Sequence, residues 1–170
     1  MTPTFYDTPE RQAQLIAEAR TWLHTPFRTN GSAKGKACDC HNLVYALHCA
    51  TGAWGPFPIP RGQSGIAGML QVRRMSSFFH TRPECREVEL PDESFGILRL
   101  VESLQPGDIL TGETIGGEYH LATFLGTVDG QLGAIVSTTH RSGVAFFNLL
   151  DPSWSRPIVT TFRILPHDVR

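Results

Sequence analysis

Charge is scarce in this sequence. Lysine and arginine number 15, aspartate and glutamate 16, so 18% of 170 residues are charged and the formal net charge is -1. That balance offers no basic face for nucleic acid or anionic lipid. Low charge beside 41% apolar residues also excludes an intrinsically disordered chain, which pairs high charge with low hydrophobicity. Long apolar runs are missing too. The uncharged stretch 46–60 is broken by Gly52, Gly55 and three prolines, whereas a membrane helix needs about 20 apolar residues. The segment Met1–Asp7 has no basic region and no apolar core, so no cleaved signal peptide is expected. Internal repeats and low-complexity segments are absent. Cysteines number four, at 38, 40, 49 and 85. A chain long enough to bury a core needs no disulfide framework, and reduced thiols are expected.

What is present divides into helices first and strands later. Residues 1–8 read as an N-terminal arm and 9–170 as one domain. From Pro9, the spacing of Ala13, Ile16, Ala17, the Arg20 stem and Leu23 predicts a helix. Thr8 is its N-cap and Pro9 its first residue. His24-Thr25-Pro26 ends it, because a residue before proline resists the α region. The glycine-containing stretch 27–37 reads as a loop. A second helix is expected over 39–50, stopped by Gly52. Its stripe is Leu43, Val44, Leu47 and Ala50, with Cys40 on the same inward face. The proline-rich 54–61 must be irregular, and 63–80 reads as a third helix. Five β-type runs follow, at 108–111, 119–126, 132–138, 144–149 and 158–165, separated by turn signals. Their close spacing implies antiparallel pairing. The fold class is α+β, with the N-terminal helices packed on one side of an antiparallel sheet.

The segment Lys36–Tyr45 carries the strongest chemical signal. Asp39 as N-cap puts Cys40 in the first helical turn. Unpaired N–H groups and the positive helix end there favour a thiolate. A thiol nucleophile needs a base, and His120, in the run 119–126, is the best candidate. His120, Ala122 and Phe124 share one face in a period-2 reading. His140 and Ser137 follow in the next strand or its turn. The competing reading of Cys40 is a small buried core residue. A metal cluster of Cys38, Cys40, His41, His48 and Cys49 lacks zinc-site spacing. Cys49 and His48 read as structural. Asp108, in Pro-Gly-Asp, reads as a turn-holding side chain.

Five blocks, in order, resemble the NlpC/P60 cysteine peptidases, and more narrowly the cell-wall peptidases encoded near phage tail genes. They are Trp22-Leu-His-Thr-Pro-Phe-Arg, Gly35-Lys-Ala-Cys-Asp-Cys-His-Asn-Leu-Val, Leu104-Gln-Pro-Gly-Asp-Ile-Leu, Tyr119-His-Leu-Ala-Thr-Phe-Leu-Gly, and Gly143-Val with Trp154–Arg163. The resemblance spans about residues 11–164. It implies a papain-like α+β fold and hydrolysis of amide bonds in peptidoglycan stem peptides, with no metal or other cofactor. It assigns Cys40 as nucleophile and His120 as base. Phe27 stands where the family has an active-site tyrosine, and Asp39 where an acid can bind a substrate amine. His41-Asn42 replaces the usual x-Gly, so His41 bears on what the cleft admits. The family's third catalytic histidine aligns with Ser137; either His140, three residues on, takes that role, or the site is a Cys40–His120 dyad with Ser137 as a weak orienter. With no signal sequence expected, a cell-wall substrate calls for a protein held in the cytoplasm until lysis, carried on a phage particle or exported by a dedicated machine; a phage-tail or secretion-particle partner fits the last two. A catalytically inactive module of the same fold is the alternative.

Overall fold

The computed structural model describes residues 3–57, 77–91, 96–113, 119–138, 143–151 and 158–169. It is an α+β arrangement of helices against an antiparallel sheet.

Helix α1 runs Pro9–Trp22, and the Thr8 hydroxyl accepts the Arg11 N–H at 3.3 Å as its N-cap. Its inward face differs from the expected one. Leu15, Ala19 and Trp22 are buried; of the expected stripe, Ile16 and Leu23 pack against the core, whereas Ala13, Ala17 and Arg20 are exposed. Leucine and tryptophan remove far more apolar area from water than alanine does, and they set the rotation of the helix. Arg20 pairs instead with Asp129 at 2.8 Å. The chain leaves α1 through His24, which adopts a left-handed conformation at φ 65°. The stretch read as a loop contains a small hairpin, β1 (Ser32–Ala33) and β2 (Ala37–Cys38). Helix α2 follows over Cys40–Ala50 with Asp39 as N-cap. It buries Cys40, Leu43, Val44, Leu47 and His48, while Ala50 is exposed. Of the third expected helix, 77–80 is helical and 63–76 lies outside the described residues.

The main sheet contains β3 (Cys85–Val88), β4 (Ile109–Glu113), β5 (Tyr119–Val128), β6 (Gln131–Thr138), β7 (Gly143–Asn148) and β8 (Ile158–Ile164). A short helix, α3 (Gly96–Ser103), precedes β4. The strand order is β3-β8-β4-β5-β6-β7, with every pair antiparallel. All five expected strands are present. Alternation sorts the side chains into two clusters. Ile109, Leu121, Leu125, Ile135 and Phe162 pack with α1 and α2; Leu110, Ala122, Phe124, Ala134 and Val136 pack in a second cluster with Leu104 and Leu149.

Two buried polar arrangements tie these layers together. Asp108 closes its turn as expected, accepting the Gln105 N–H at 2.8 Å. It also receives Arg163 of β8 through Nε at 3.0 Å and Nη2 at 2.8 Å, and Arg163 Nη2 donates further to the Ser103 carbonyl at 2.9 Å. The two side chains are 0% and 3% exposed. The second arrangement fixes the arm. Thr4, Phe5 and Tyr6 are buried, and the Phe5 N–H donates to the Ile164 carbonyl at 2.7 Å. The Tyr6 hydroxyl meets His48 Nδ1 and Thr51 Oγ1, each at 2.7 Å. Gly107, at φ 88°, lies so close over the Tyr6 ring that no Cβ fits.

His48 is fully buried, and burial pushes its pKa down to about 3 from 6.5. A folded-state pKa below the unfolded one means that unfolding takes up a proton between those values. The stability due to neutral His48 is therefore complete above pH 6.5 and is lost as pH falls toward 3. The expected slope approaches about 1.4 kcal/mol per pH unit in that window. Urea denaturation at a series of pH values reads it, and His48→Gln is expected to flatten the profile between pH 6.5 and 4. An unchanged slope in that variant would assign the acid sensitivity to other groups.

Candidate active site

The N-terminus of α2 is held from two sides. Asp39 has extended backbone at φ -99° and ψ 174°, as an N-cap requires. Its Oδ1 accepts the Asn42 N–H at 2.8 Å and Asn42 Nδ2 at 2.9 Å; its Oδ2 accepts the Asn30 N–H at 2.6 Å. Both carboxylate oxygens are thus occupied by protein donors in a buried position. Asn42, which replaces a glycine in the resembling motif, serves as a second donor to the cap. Asn30 supplies its N–H from a left-handed turn at φ 61°, a conformation that asparagine tolerates better than most residues.

On the other side stands Cys38. Its N–H donates to the Pro26 carbonyl at 2.9 Å, and its own carbonyl accepts from the Arg28 N–H at 3.3 Å and from the Ser137 hydroxyl at 2.7 Å. Phe27 forms a parallel bridge to Cys38 and is half-buried. Hairpin, cap and helix therefore deliver Cys40 to one place against the sheet.

That place is the end of β5. The β5–β6 ladder closes at Ala122 and Val136, whereas the β4–β5 ladder continues past Gly112 and His120. Beyond Val136, the β6-side edge of β5 faces α2. The Leu121 backbone N–H, which belongs to the peptide linking His120 to Leu121, is aimed at the Cys40 thiol. The fold thus brings Cys40 and the His120 backbone together across 80 residues of sequence. His120 is half-buried, with both ring nitrogens shielded from solvent. Its strand parity is that of Ala122 and Phe124, whose side chains lie in the second cluster, while Leu121 has the parity of the α2 face.

The electrostatics of the thiol run against the expectation of a thiolate. Burial pushes the Cys40 thiol up to about 12, and the Asp39 charge adds to that. The N–H groups of Leu121, Cys40 and His41 pull it down without reversing the outcome. Helix-terminus stabilisation is present, but desolvation of a side chain only 5% exposed outweighs it. Cys38 is pushed up to about 12 as well, first by burial and then by the Asp39 and Cys40 charges. Both are neutral thiols at neutral pH. All four cysteines are free thiols.

His41, the second residue of α2, is half-buried. Burial lowers its pKa, opposed by the Asp39 carboxylate, and its Nε2 is shielded with no hydrogen-bond partner among the described residues. His140 lies outside the described residues. Ser137, which aligns with a third catalytic histidine, spends its hydroxyl proton on Cys38. Sequence reasoning missed this bond, since no local signal joins residues 99 apart. The Asn42 contact was accessible: a polar side chain three residues after an N-cap is the position from which a capping partner reaches back.

The sequence matches no model of a known protein family and no curated protein.

Proposed function

We propose that this protein is a thiol-dependent amide hydrolase of the NlpC/P60 type, with a papain-like form of its α+β fold, acting on peptidoglycan stem peptides. One observation carries the proposal: Cys40 opens a helix with its thiol set at the peptide bond that follows His120. Acyl transfer needs a nucleophile paired with a base, and the thiol lies against the strand that carries His120. The five ordered sequence blocks supply the substrate class.

The raised thiol pKa defines the form of the mechanism. The resting thiol is neutral, so it carries its proton into the attack. As Cys40 Sγ bonds to the scissile carbonyl carbon, its proton passes to His120, whose ring turns toward the thiol from the strand parity it shares with Ala122 and Phe124. The oxyanion that forms takes hydrogen bonds from N–H groups at the start of α2. His120 then gives its proton to the leaving amine as the C–N bond breaks. Water, deprotonated by His120, releases the acyl group and restores the thiol. Asp39 contributes by capping α2, since its oxygens are already occupied.

A second reading keeps the fold and drops the catalysis: a structural or binding module of a phage tail or secretion particle. The buried, neutral Cys40 thiol favours it. Incubation of the wild-type protein with purified muropeptides, followed by mass spectrometry of the products, separates the two. Hydrolysis is expected, and the product masses name the bond. Intact muropeptides after incubation with well-folded wild-type protein would establish the second reading.

A further inference from the structure

We propose that Ser137 is a positioning residue that holds the nucleophile segment, acting on Cys40 through the Cys38 carbonyl. This rests on the hydrolase reading for its catalytic consequence but not for its structural one.

Ser137 is fully buried. A buried hydroxyl without a partner costs its full desolvation, and this one has a single well-made bond, 2.7 Å to the Cys38 carbonyl. Ser137 is paired with Val144 on the β7 side. On the other side, continuing the β5–β6 register by one step would place it opposite Leu121, but that ladder has already ended. Ser137 has the strand parity of Ile135, on the α2 face of the sheet, where its hydroxyl meets the Cys38 carbonyl. The Ser137 hydroxyl and the Leu121 N–H therefore bind the two ends of one three-residue stretch, Cys38 by its carbonyl and Cys40 by its thiol. Asp39 between them is extended and capped, so movement at Cys38 is passed to the first turn of α2.

A hydroxyl has one proton to give. Ser137 gives it to the Cys38 carbonyl. A position that in the resembling family orients the base here secures the nucleophile.

The test compares wild type with Ser137→Ala and Ser137→Thr, the latter keeping the hydroxyl. The first readout is the rate of iodoacetamide labelling at Cys40 at neutral pH, resolved by peptide mass spectrometry, with Cys49 as internal reference. In Ser137→Ala, Cys40 labelling is expected to rise about tenfold, the equivalent of one hydrogen bond, with Cys49 unchanged. Ser137→Thr is expected to stay near the wild-type rate. The second readout is muropeptide hydrolysis, where Ser137→Ala is expected to lose about tenfold in kcat with KM unchanged. Equal Cys40 labelling in wild type and Ser137→Ala would overturn the proposal, as would parallel acceleration at Cys40 and Cys49, which marks general loosening. If wild type cleaves no muropeptide, the hydrolase reading fails while the labelling still decides the role of Ser137.

Discussion

Replacing Cys40 by alanine is expected to lower muropeptide hydrolysis by at least about 10⁴-fold, and replacing His120 by alanine by about 10³-fold. The reasoning is the same for both. The thiol is neutral in the folded protein because burial outweighs three N–H groups directed at it. An un-ionised thiol attacks an amide poorly, so nearly all of the rate depends on a base that takes the proton during attack. In the proposed mechanism, removing His120 takes away the base and removing Cys40 takes away the group that is acylated. The losses are expected to be non-additive, because the two act as one unit. Neither variant is expected to unfold. Cys40→Ala removes one sulfur from a buried site, and a single large-to-small change of that size costs on the order of 1 kcal/mol. Steady-state rates beside melting curves check both halves. Wild-type turnover by Cys40→Ala would remove the cysteine from the mechanism.

The largest stability effect is expected at Arg163. Arg163→Met leaves the Asp108 carboxylate buried with its guanidinium partner gone and strips a donor from the Ser103 carbonyl. Breaking a buried ion pair from one side costs about 3–5 kcal/mol, a large part of the 5–15 kcal/mol that holds a typical domain. The pH dependence has a definite sign. Burial pushes the Asp108 carboxyl above its ordinary 3.8, and Arg163 opposes that push. In the variant the upward push is opposed only by the Gln105 N–H, so the folded state favours the protonated acid more than the wild type does. Stability from that form is present below the unfolded pKa and is lost as pH rises through the folded one. The deficit of Arg163→Met against wild type is therefore expected to be smaller at acid pH than at neutral pH. Urea denaturation at both pH values measures it. A deficit under about 1 kcal/mol at neutral pH would mean that the pair is solvated or compensated.

The parts of this fold that were legible in the sequence are those fixed by local chemistry. Thr8-Pro9 and Asp39 mark helix starts because capping is a contact within three or four residues. The five strands from 109 onward were visible because turn residues bound each run. The rest depended on partners far away. The face of α1 was misread because alanines at helical spacing mimic a stripe, while Leu15 and Trp22 bury more surface. Strand β3 was not identified because two of its four residues, Arg86 and Glu87, are charged and exposed. Helix α3 was missed although Ile97, Leu98, Leu100 and Val101 recur at helical spacing, because the element is only eight residues long and lies between strand-like runs. The pairing of β8 with β4, rather than with its chain neighbour β7, is a tertiary choice that no local pattern encodes. In the site, Cys40, its cap and the strand of His120 were legible. The ionisation of the thiol was not, because it depends on burial, and the Ser137 bond to Cys38 was not, because it spans the fold.

The central claim is that Cys40 is made nucleophilic by His120 when a stem peptide is bound. The most direct measurement uses a stem-peptide analogue with a vinyl sulfone in place of the scissile amide, with the modified cysteine then located by mass spectrometry. The thiol adds across the vinyl group, so labelling reports attack without requiring turnover. The account predicts labelling at Cys40 in preference to Cys38, Cys49 and Cys85, slowed by at least about 10²-fold in His120→Ala. Labelling centred on Cys49 or Cys85, or labelling of Cys40 that is indifferent to His120, would contradict it.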